Sequence, residues 1–177
     1  MSRAAKLDLR VFQQELATRL ASKTAAQVES SRLGLASAGA NWLIRLSDAS
    51  EVIAVPPIAA VPLTKPWFAG VANIRGNLYT VIDFARFLGE EPQASTQANV
   101  AQARLVVFGP RAGDLRAAIV VQRVLGLRNI TELAPVPVHG ETRPWYGQCW
   151  IDASGANWQE IDLARLAQDP AFLQAGL

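Results

Sequence analysis

The 177-residue sequence contains one cysteine, Cys149, and one histidine, His139. A single cysteine excludes an internal disulfide and any zinc site built from cysteines. Nucleophilic catalysis needs an adjacent base and a metal needs several ligands, and this composition supplies neither set readily. No apolar run reaches the roughly 20 residues of a membrane-spanning helix, and the start MSRAAKLDLR lacks a signal-peptide core. The sequence therefore predicts a cytoplasmic protein that is not an enzyme and holds no cofactor.

The charges are few and balanced. There are 17 basic and 15 acidic residues, a net charge of +2, and the two signs alternate along the chain. Binding to nucleic acid or to an anionic membrane needs clustered Lys and Arg, so we expect no nucleic-acid partner and no direct membrane insertion. Half of the residues are hydrophobic and 18% are charged, which predicts a folded core.

The spacing of apolar residues changes along the chain. Near the N-terminus they recur at helical spacing, at Leu9, Phe12, Leu16 and Leu20. This predicts an amphipathic helical extension over residues 1–31, which either packs on the body or contacts a partner. From Arg32 onwards, short apolar runs are separated by Gly, Pro, Asn and Asp. That pattern is typical of short antiparallel strands in a barrel or sandwich.

The two halves of the sequence repeat one another. Four ordered matches relate them: Arg32-Leu33 with Arg104-Leu105, Val52 with Val124, Pro66 to Phe68 with Pro144 to Tyr146, and Ile82 to Phe87 with Ile161 to Leu166. Ordered matches of this kind indicate one unit used twice. We predict a first copy over about 32–89, an exposed linker over about 90–103, a second copy over about 104–168 and a C-terminal tail over 169–177.

Two constellations could carry chemistry. Cys149 and His139 could form a dyad, although a buried cysteine in the strand QCWI is the simpler interpretation. Asp83 and Asp162 could act as paired carboxylates. Each of these aspartates, however, ends an apolar strand just before a helical stretch, where a side-chain oxygen caps free backbone N–H groups. The pattern favours capping.

The segment GVANIRGNLYTVID predicts two strands joined by a tight turn, with Asn77 suited to a positive-φ position. The side chain of Arg75 then projects from a rigid turn. Its fork of donors suits a bidentate contact with a carboxylate or backbone group of a partner. The alternative is a solvated turn arginine.

The run from Ser50 to Gly89 closely resembles the core of the CheW-type chemotaxis coupling proteins. The matching residues are Glu51-Val52, Trp67, Gly70-Val71, Asn73-Ile74-Arg75-Gly76 and Ile82-Asp83, followed in the second half by Ile119 to Leu125 and Pro135 to Pro137. The proline-rich connection through Pro56-Pro57, Pro62 and Lys65-Pro66-Trp67 looks like the PilI-type variant of type IV pilus (twitching motility) chemosensory systems. The resemblance covers about Arg32 to Leu166.

This resemblance implies a mainly β fold over residues 32–168, with two SH3-like five-stranded β-barrels that share a hydrophobic core. It implies an adaptor that couples the cytoplasmic tip of a methyl-accepting chemoreceptor to the regulatory domain of a CheA-type histidine kinase. Such an adaptor would be recruited to receptor clusters at the inner membrane. A flagellar chemotaxis role and a general SH3-like peptide-binding module remain alternatives.

The expected partner-binding surface lies around the Arg75 turn. Its residues are Arg75, Glu51, Asn73 and Gly76, with Val71 and Ile53 as apolar contacts that could equally belong to the core. In the second copy, Ile151 to Gly155 stands in place of Asn73 to Gly76 and lacks the arginine. Partner contact is therefore assigned to the first copy only.

Overall fold

The computed structural model describes residues 29–90, 101–138, 140 and 142–177. The strands are β1 (Ser31–Ser37), β2 (Ala40–Arg45), β3 (Ala49–Ala54), β4 (Phe68–Ile74), β5 (Asn77–Asp83), β6 (Arg104–Phe108), β7 (Ala117–Val121), β8 (Arg123–Asn129), β9 (Ala134–Val136), β10 (Tyr146–Ile151) and β11 (Asn157–Ile161). The short helices are α1 (Phe84–Phe87), α2 (Leu163–Leu166) and α3 (Pro170–Leu173). The predicted N-terminal helix and most of the linker lie outside the described residues. Within the described part, no helix is long and apolar enough to cross a membrane.

The strands form two sheets. Sheet A has the order β8-β1-β2-β11-β10-β9, and sheet B has the order β3-β6-β7-β5-β4. Without the short edge strand β9, both sheets have five strands and the same topology. Each contains one parallel pair, β11 with β2 in sheet A and β5 with β7 in sheet B. The predicted mainly β fold is confirmed, and its strands are arranged in two sheets.

The sheets do not coincide with the predicted barrels over 32–89 and 104–168. The first hairpin of the first copy, β1–β2, lies in sheet A with the later strands of the second copy. The first hairpin of the second copy, β6–β7, lies in sheet B with β3, β4 and β5. The two copies have exchanged their first hairpins, so each sheet needs both halves of the chain.

The parallel pairs define which residues of the two sheets are equivalent. In sheet A, Ile44 of β2 lies opposite Ile161 of β11. In sheet B, Ile119 of β7 lies opposite Ile82 of β5. The later matches from the sequence agree with this register. Asp83 N–H donates to the carbonyl of Trp67, and Asp162 N–H donates to the carbonyl of Trp145, each at 2.9 Å.

The earlier matches are wrong by one to three residues. The antiparallel partner of Ile44 is Leu33, and that of Ile119 is Val106. Leu33 therefore corresponds to Val106 rather than to Leu105. A slip of one residue exchanges the two faces of a strand. The equivalent-looking leucines Leu33 of β1 and Leu105 of β6 therefore lie on opposite faces of their sheets, Leu33 towards the main core and Leu105 away from it.

The match between Val52 and Val124 fails in the same way. Val52 lies opposite Val106, and the residue opposite Leu33 is Leu127. Val52 therefore corresponds to Leu127. From β2 to β3 the two copies are offset by 75 residues, because Ile44 corresponds to Ile119 and Val52 to Leu127, whereas the match of Val52 with Val124 assumes an offset of 72.

The main core lies between the two sheets. Sheet A contributes buried apolar residues from β1, β2 and β11, and sheet B contributes those of β5, β6 and β7. The helices α1 and α2 close this core with Phe84 and Leu163, both fully buried. Asp83 accepts a hydrogen bond from the backbone N–H of Arg86, and Asp162 does the same for Arg165, so the capping prediction is confirmed.

The C-terminal segment 169–177 is more than the tail that the sequence predicts. Asp169 caps α3, and Phe172 within that helix is 4% exposed. Its ring stacks on those of Trp67 and Phe108, with centroid distances of 6.4 and 5.7 Å. Burying an aromatic ring of this size stabilises the fold, so this segment belongs to the main core.

A second apolar cluster lies on the other face of sheet B. Its buried members are Ala72, Ile74, Val81, Leu105, Val107 and Ala118. Strict alternation explains its composition, since neighbouring residues such as Leu105 and Val106 face the second cluster and the main core in turn.

Candidate functional site

The β4–β5 hairpin ends in a two-residue turn made by Arg75 and Gly76. Ile74 lies opposite Asn77, and the φ angles of Arg75 and Gly76 are 51° and 84°. Positive φ at both central positions is the turn geometry that matches the twist of a hairpin. The sequence predicted positive φ at Asn77; the structure places it at Arg75, where a side chain tolerates it at a cost of about 1 kcal/mol.

Two polar contacts hold this turn. Asn73 Oδ1 accepts a hydrogen bond from the backbone N–H of Gly76 at 2.8 Å. Arg75 Nη2 lies 2.8 Å from Glu51 Oε2. The Arg75 side chain is nevertheless 80% exposed, whereas that of Glu51 is 23% exposed. A guanidinium carries five N–H donors, so most of them stay available to a partner.

The ion pair between Arg75 and Glu51 joins opposite edges of sheet B. Glu51 lies on β3 at one edge, and Arg75 extends from the end of β4 at the other. Sheet B therefore curls until its outer strands approach each other. Ile53, two residues after Glu51, lies opposite Leu105 and packs against the second cluster. Of the two interpretations left open for Ile53, the structure favours the core.

Val71 lies on a different face from Ile53. Val71 is opposite Thr80, and Asn73 is opposite Leu78, so these four side chains share one face of the hairpin. The same face continues into the main core through Ile82. Leu78 is 61% exposed where this face emerges from between the sheets. Leu78 was not among the residues predicted for this surface, although the alternation in NLYTVID places it beside Asn73.

The proline-rich connection covers the outer edge of β4. The backbone N–H and carbonyl of Ala59 exchange hydrogen bonds with Val71, at 2.8 and 2.9 Å. Gly70 makes this approach possible, because a Cβ at that position would lie 2.2 Å from the Ala59 carbonyl oxygen. The edge of sheet B next to the Arg75 turn is therefore occupied by the chain itself.

The equivalent hairpin of sheet A has different chemistry. The carboxylate of Asp152 accepts hydrogen bonds from the backbone N–H groups of Ser154 and Ala156 and from Trp158 Nε1. Hydrogen bonds from the Ser154 side chain, and then from Trp158, hold the pKa of Asp152 well below its usual value. This turn satisfies its own polar groups and presents no arginine.

Cys149 does not have the environment of a reactive cysteine. Its Sγ donates to Gln159 Oε1 at 2.7 Å, and burial raises the pKa of the thiol. A raised pKa disfavours the thiolate, which is the nucleophilic form. His139, the other member of the dyad considered above, lies outside the described residues. Across residues 29–90, 101–138, 140 and 142–177, no three His, Cys, Asp or Glu residues group as metal ligands.

Comparison with known proteins agrees with these features. The CheW-like domain family matches residues 33–171. Protein PilI of Pseudomonas aeruginosa (strain PAO1) is 30% identical over 130 residues, which cover 71% of this chain and 67% of PilI. The crystal structure of the scaffolding protein TtCheW from Thermoanaerobacter tengcongensis has the same fold, with a TM-score of 0.66 at 17% identity over 82% of this chain and 92% of TtCheW. With its duplicated sheets and its Asn-Ile-Arg-Gly turn, this chain belongs to the CheW-like domain family.

Proposed function

We propose that this protein is a non-catalytic adaptor that couples membrane chemoreceptors to a CheA-type histidine kinase. Membership of the CheW-like family supports a coupling role. The similarity to PilI favours a pathway that controls type IV pilus twitching motility over flagellar chemotaxis. The observation that carries the proposal is the Arg75 side chain, 80% exposed on a turn fixed by Asn73 and Glu51.

The receptor-binding surface that we propose is the Arg75 corner, defined as Arg75, Asn73, Leu78 and Val71. The corner combines a fixed cation with an exposed apolar side chain on a rigid hairpin. An amphipathic helix can satisfy both, because residues three or four positions apart lie on one face. A carboxylate on that helix would pair with Arg75 while an apolar neighbour covers Leu78.

Replacing Arg75 with Ala tests this surface. We expect the affinity for a soluble cytoplasmic fragment of the receptor to fall at least about tenfold, because arginines at interface centres commonly contribute more than about 1 kcal/mol. Titration calorimetry against the receptor fragment and against the kinase regulatory domain measures both affinities. Arg116→Ala is the matched control, since Arg116 is an exposed arginine on the loop before β7.

The role of the ion pair in curling sheet B needs a separate variant. The double exchange Glu51→Arg with Arg75→Glu keeps opposite charges across the sheet but reverses the charge at the corner. We expect this variant to unfold at nearly the same urea concentration as the wild type and to bind receptor weakly. Wild-type affinity for the receptor fragment in a folded Arg75→Ala protein would show that the corner assignment is wrong.

The two rival functions make different predictions. A small enzyme built on Cys149 would lose its activity in Cys149→Ser, whereas coupling would be nearly unchanged. An SH3-like peptide-binding module needs an exposed aromatic groove. All five tryptophans lie in the described part of the chain, and each is buried or half-buried. Titration with a proline-rich peptide beside the receptor fragment separates this module from the adaptor.

A further inference from the structure

The strands β3 and β8 are equivalent edges of the two sheets. Each pairs antiparallel with the first strand of an exchanged hairpin, β3 with β6 and β8 with β1. Each pairing also contains an irregularity at the equivalent place, between Ala49 and Glu51 on β3 and between Val124 and Gly126 on β8. Any difference between the edges therefore reflects side chains rather than topology.

An ion pair to the opposite hairpin holds the β3 edge, and the equivalent position of β8 has no such ion pair. Glu51 of β3 is held by Arg75 from the opposite hairpin. On β8 the equivalent of Glu51 is Gly126, because Glu51 faces Val107 as Gly126 faces Gly34. The β10–β11 hairpin uses Asp152 for its own turn and contacts β8 through the Trp158 ring, whose centroid lies 5.1 Å from Arg128 Cζ. Among the described residues, no strand pairs with the outer side of β8.

The free edge has a defined chemistry. Arg123 and Arg128 are exposed, Leu127 is 61% exposed, and β8 contains no acidic residue. Gly126 has a φ of 90°, and nothing lies within 4 Å of the place where its Cβ would be. An incoming backbone can therefore approach closely at Gly126, with cations on both sides of it.

We propose that the β8 edge binds an extended acidic segment of a partner protein by β-strand addition. Main-chain hydrogen bonds to β8 would supply affinity, and carboxylates paired with Arg123 and Arg128 would supply selectivity. A second copy of this chain fits the edge poorly, because pairing β8 with itself would bring four arginines together. This site is separate from the Arg75 corner and does not depend on the proposed receptor contact.

The test is an NMR titration of the full chain with a synthetic decapeptide in which Thr or Val alternates with Glu. We expect amide shifts centred on Leu127 and Asn129, saturation at millimolar peptide or below, and weakening at high salt because the charges are exposed. A peptide with Lys in place of Glu should bind at least about tenfold more weakly. So should the acidic peptide N-methylated at alternate residues, which keeps its charge but loses its ladder donors.

Protein variants complete the test. The double change Arg123→Gln with Arg128→Gln should weaken binding at least tenfold, whereas Arg75→Ala and Arg116→Gln should leave it unchanged. The proposal is wrong if β8 amides do not shift at millimolar acidic peptide. It is also wrong if the lysine or N-methylated peptide binds as well, or if the shifts centre on the β4–β5 turn.

Discussion

The second faces of the two sheets differ although their strand orders match. In sheet B, Leu105 and Val81 fill the second apolar cluster, each fully buried. In sheet A the register puts Arg32 and Glu160 at the equivalent places, with Arg32 Nε 2.6 Å from Glu160 Oε1. The duplication has preserved the strand order and the main core. The second face, which packs independently of that core, has been free to diverge.

The charged side chains on the second face of sheet A range from buried to exposed. Arg32 and Glu160 are 7% and 8% exposed, and Arg32 Nη1 also donates to the Glu29 carbonyl at 2.6 Å. Arg45, 39% exposed, lies 3.9 Å from Glu160 and 3.8 Å from Asp162. Desolvating a buried pair costs about as much as the pairing returns, so this pair contributes little net stability while it stays intact.

The largest expected effect comes from breaking that pair. Glu160→Val introduces into sheet A the valine that sheet B has at the equivalent position, Val81. It leaves the Arg32 guanidinium buried without its carboxylate partner. We expect the free energy of unfolding to fall by about 3–5 kcal/mol, because an uncompensated buried charge is strongly unfavourable. Urea unfolding followed by tryptophan fluorescence measures this loss.

The matched control for Glu160→Val is the surface ion pair between Arg86 and Asp83, where the side chains are 41% and 34% exposed. Arg86→Ala should cost within about 1 kcal/mol. Equal losses in the two variants would mean that Glu160 is effectively solvated, and the contrast between the sheets would then be one of composition only.

A smaller effect is expected when both charges are replaced together. The double variant Arg32→Leu with Glu160→Val reproduces the Leu105 and Val81 pair of sheet B. Removing a buried pair as a unit is commonly neutral or stabilising by about 1–4 kcal/mol, so the double variant should recover the whole loss of the single one. Urea unfolding of the wild type, of Glu160→Val, of Arg32→Leu and of the double variant completes the double-mutant cycle. A double variant as unstable as Glu160→Val would show that sheet A cannot accept an apolar second face.

The sequence predicted some of these features and missed others for physical reasons. The strands, the capping aspartates and the Arg75 turn follow from local patterns, and local patterns are visible in one sequence. The exchange of hairpins is not a local property, because the sequence of β1 does not indicate which of the two sheets the strand joins. Because the same residues, Arg-Leu, begin β1 and β6, the sequence match concealed a register difference of one residue. The pairing of Arg32 with Arg45 and of Arg104 with Val121 shows that the two arginines lie on opposite faces of their sheets.

The candidate site shows the same division. The turn that contains Asn73, Arg75 and Gly76 was predicted because turn chemistry depends on neighbours in sequence. The ion pair from Arg75 to Glu51 depends on the curl of a five-stranded sheet, which a single sequence does not encode in any local window. Leu78 was missed because its exposure depends on where the facing sheet ends.

The smallest expected effect concerns two aspartates that differ in environment. Burial raises the pKa of Asp48, which is 1% exposed, although Arg111 Nε at 3.2 Å opposes that shift. The pKa of Asp152 is lowered by its hydrogen bonds. Between the ordinary value of 3.8 and the raised pKa, native Asp48 binds more protons than the unfolded chain, so its contribution to stability falls as pH rises through that window. The contribution of Asp152 is present above 3.8 and is lost as pH falls towards its lowered pKa.

Opposite signs therefore follow for the two asparagine variants. The free energy of unfolding of Asp48→Asn, relative to that of the wild type, should be higher at about pH 7 than at about pH 3. For Asp152→Asn the same difference should be lower at about pH 7 than at about pH 3. Urea midpoints at both pH values measure each difference, and comparing the two pH values cancels any pH-independent effect of the substitution. The same sign in both variants would contradict this account. Asp48 lies in the link from β2 to β3, and the equivalent residue is the exposed Arg123 at the start of β8. A buried acid in one copy and an exposed cation in the other therefore mark a further place where the two copies have diverged.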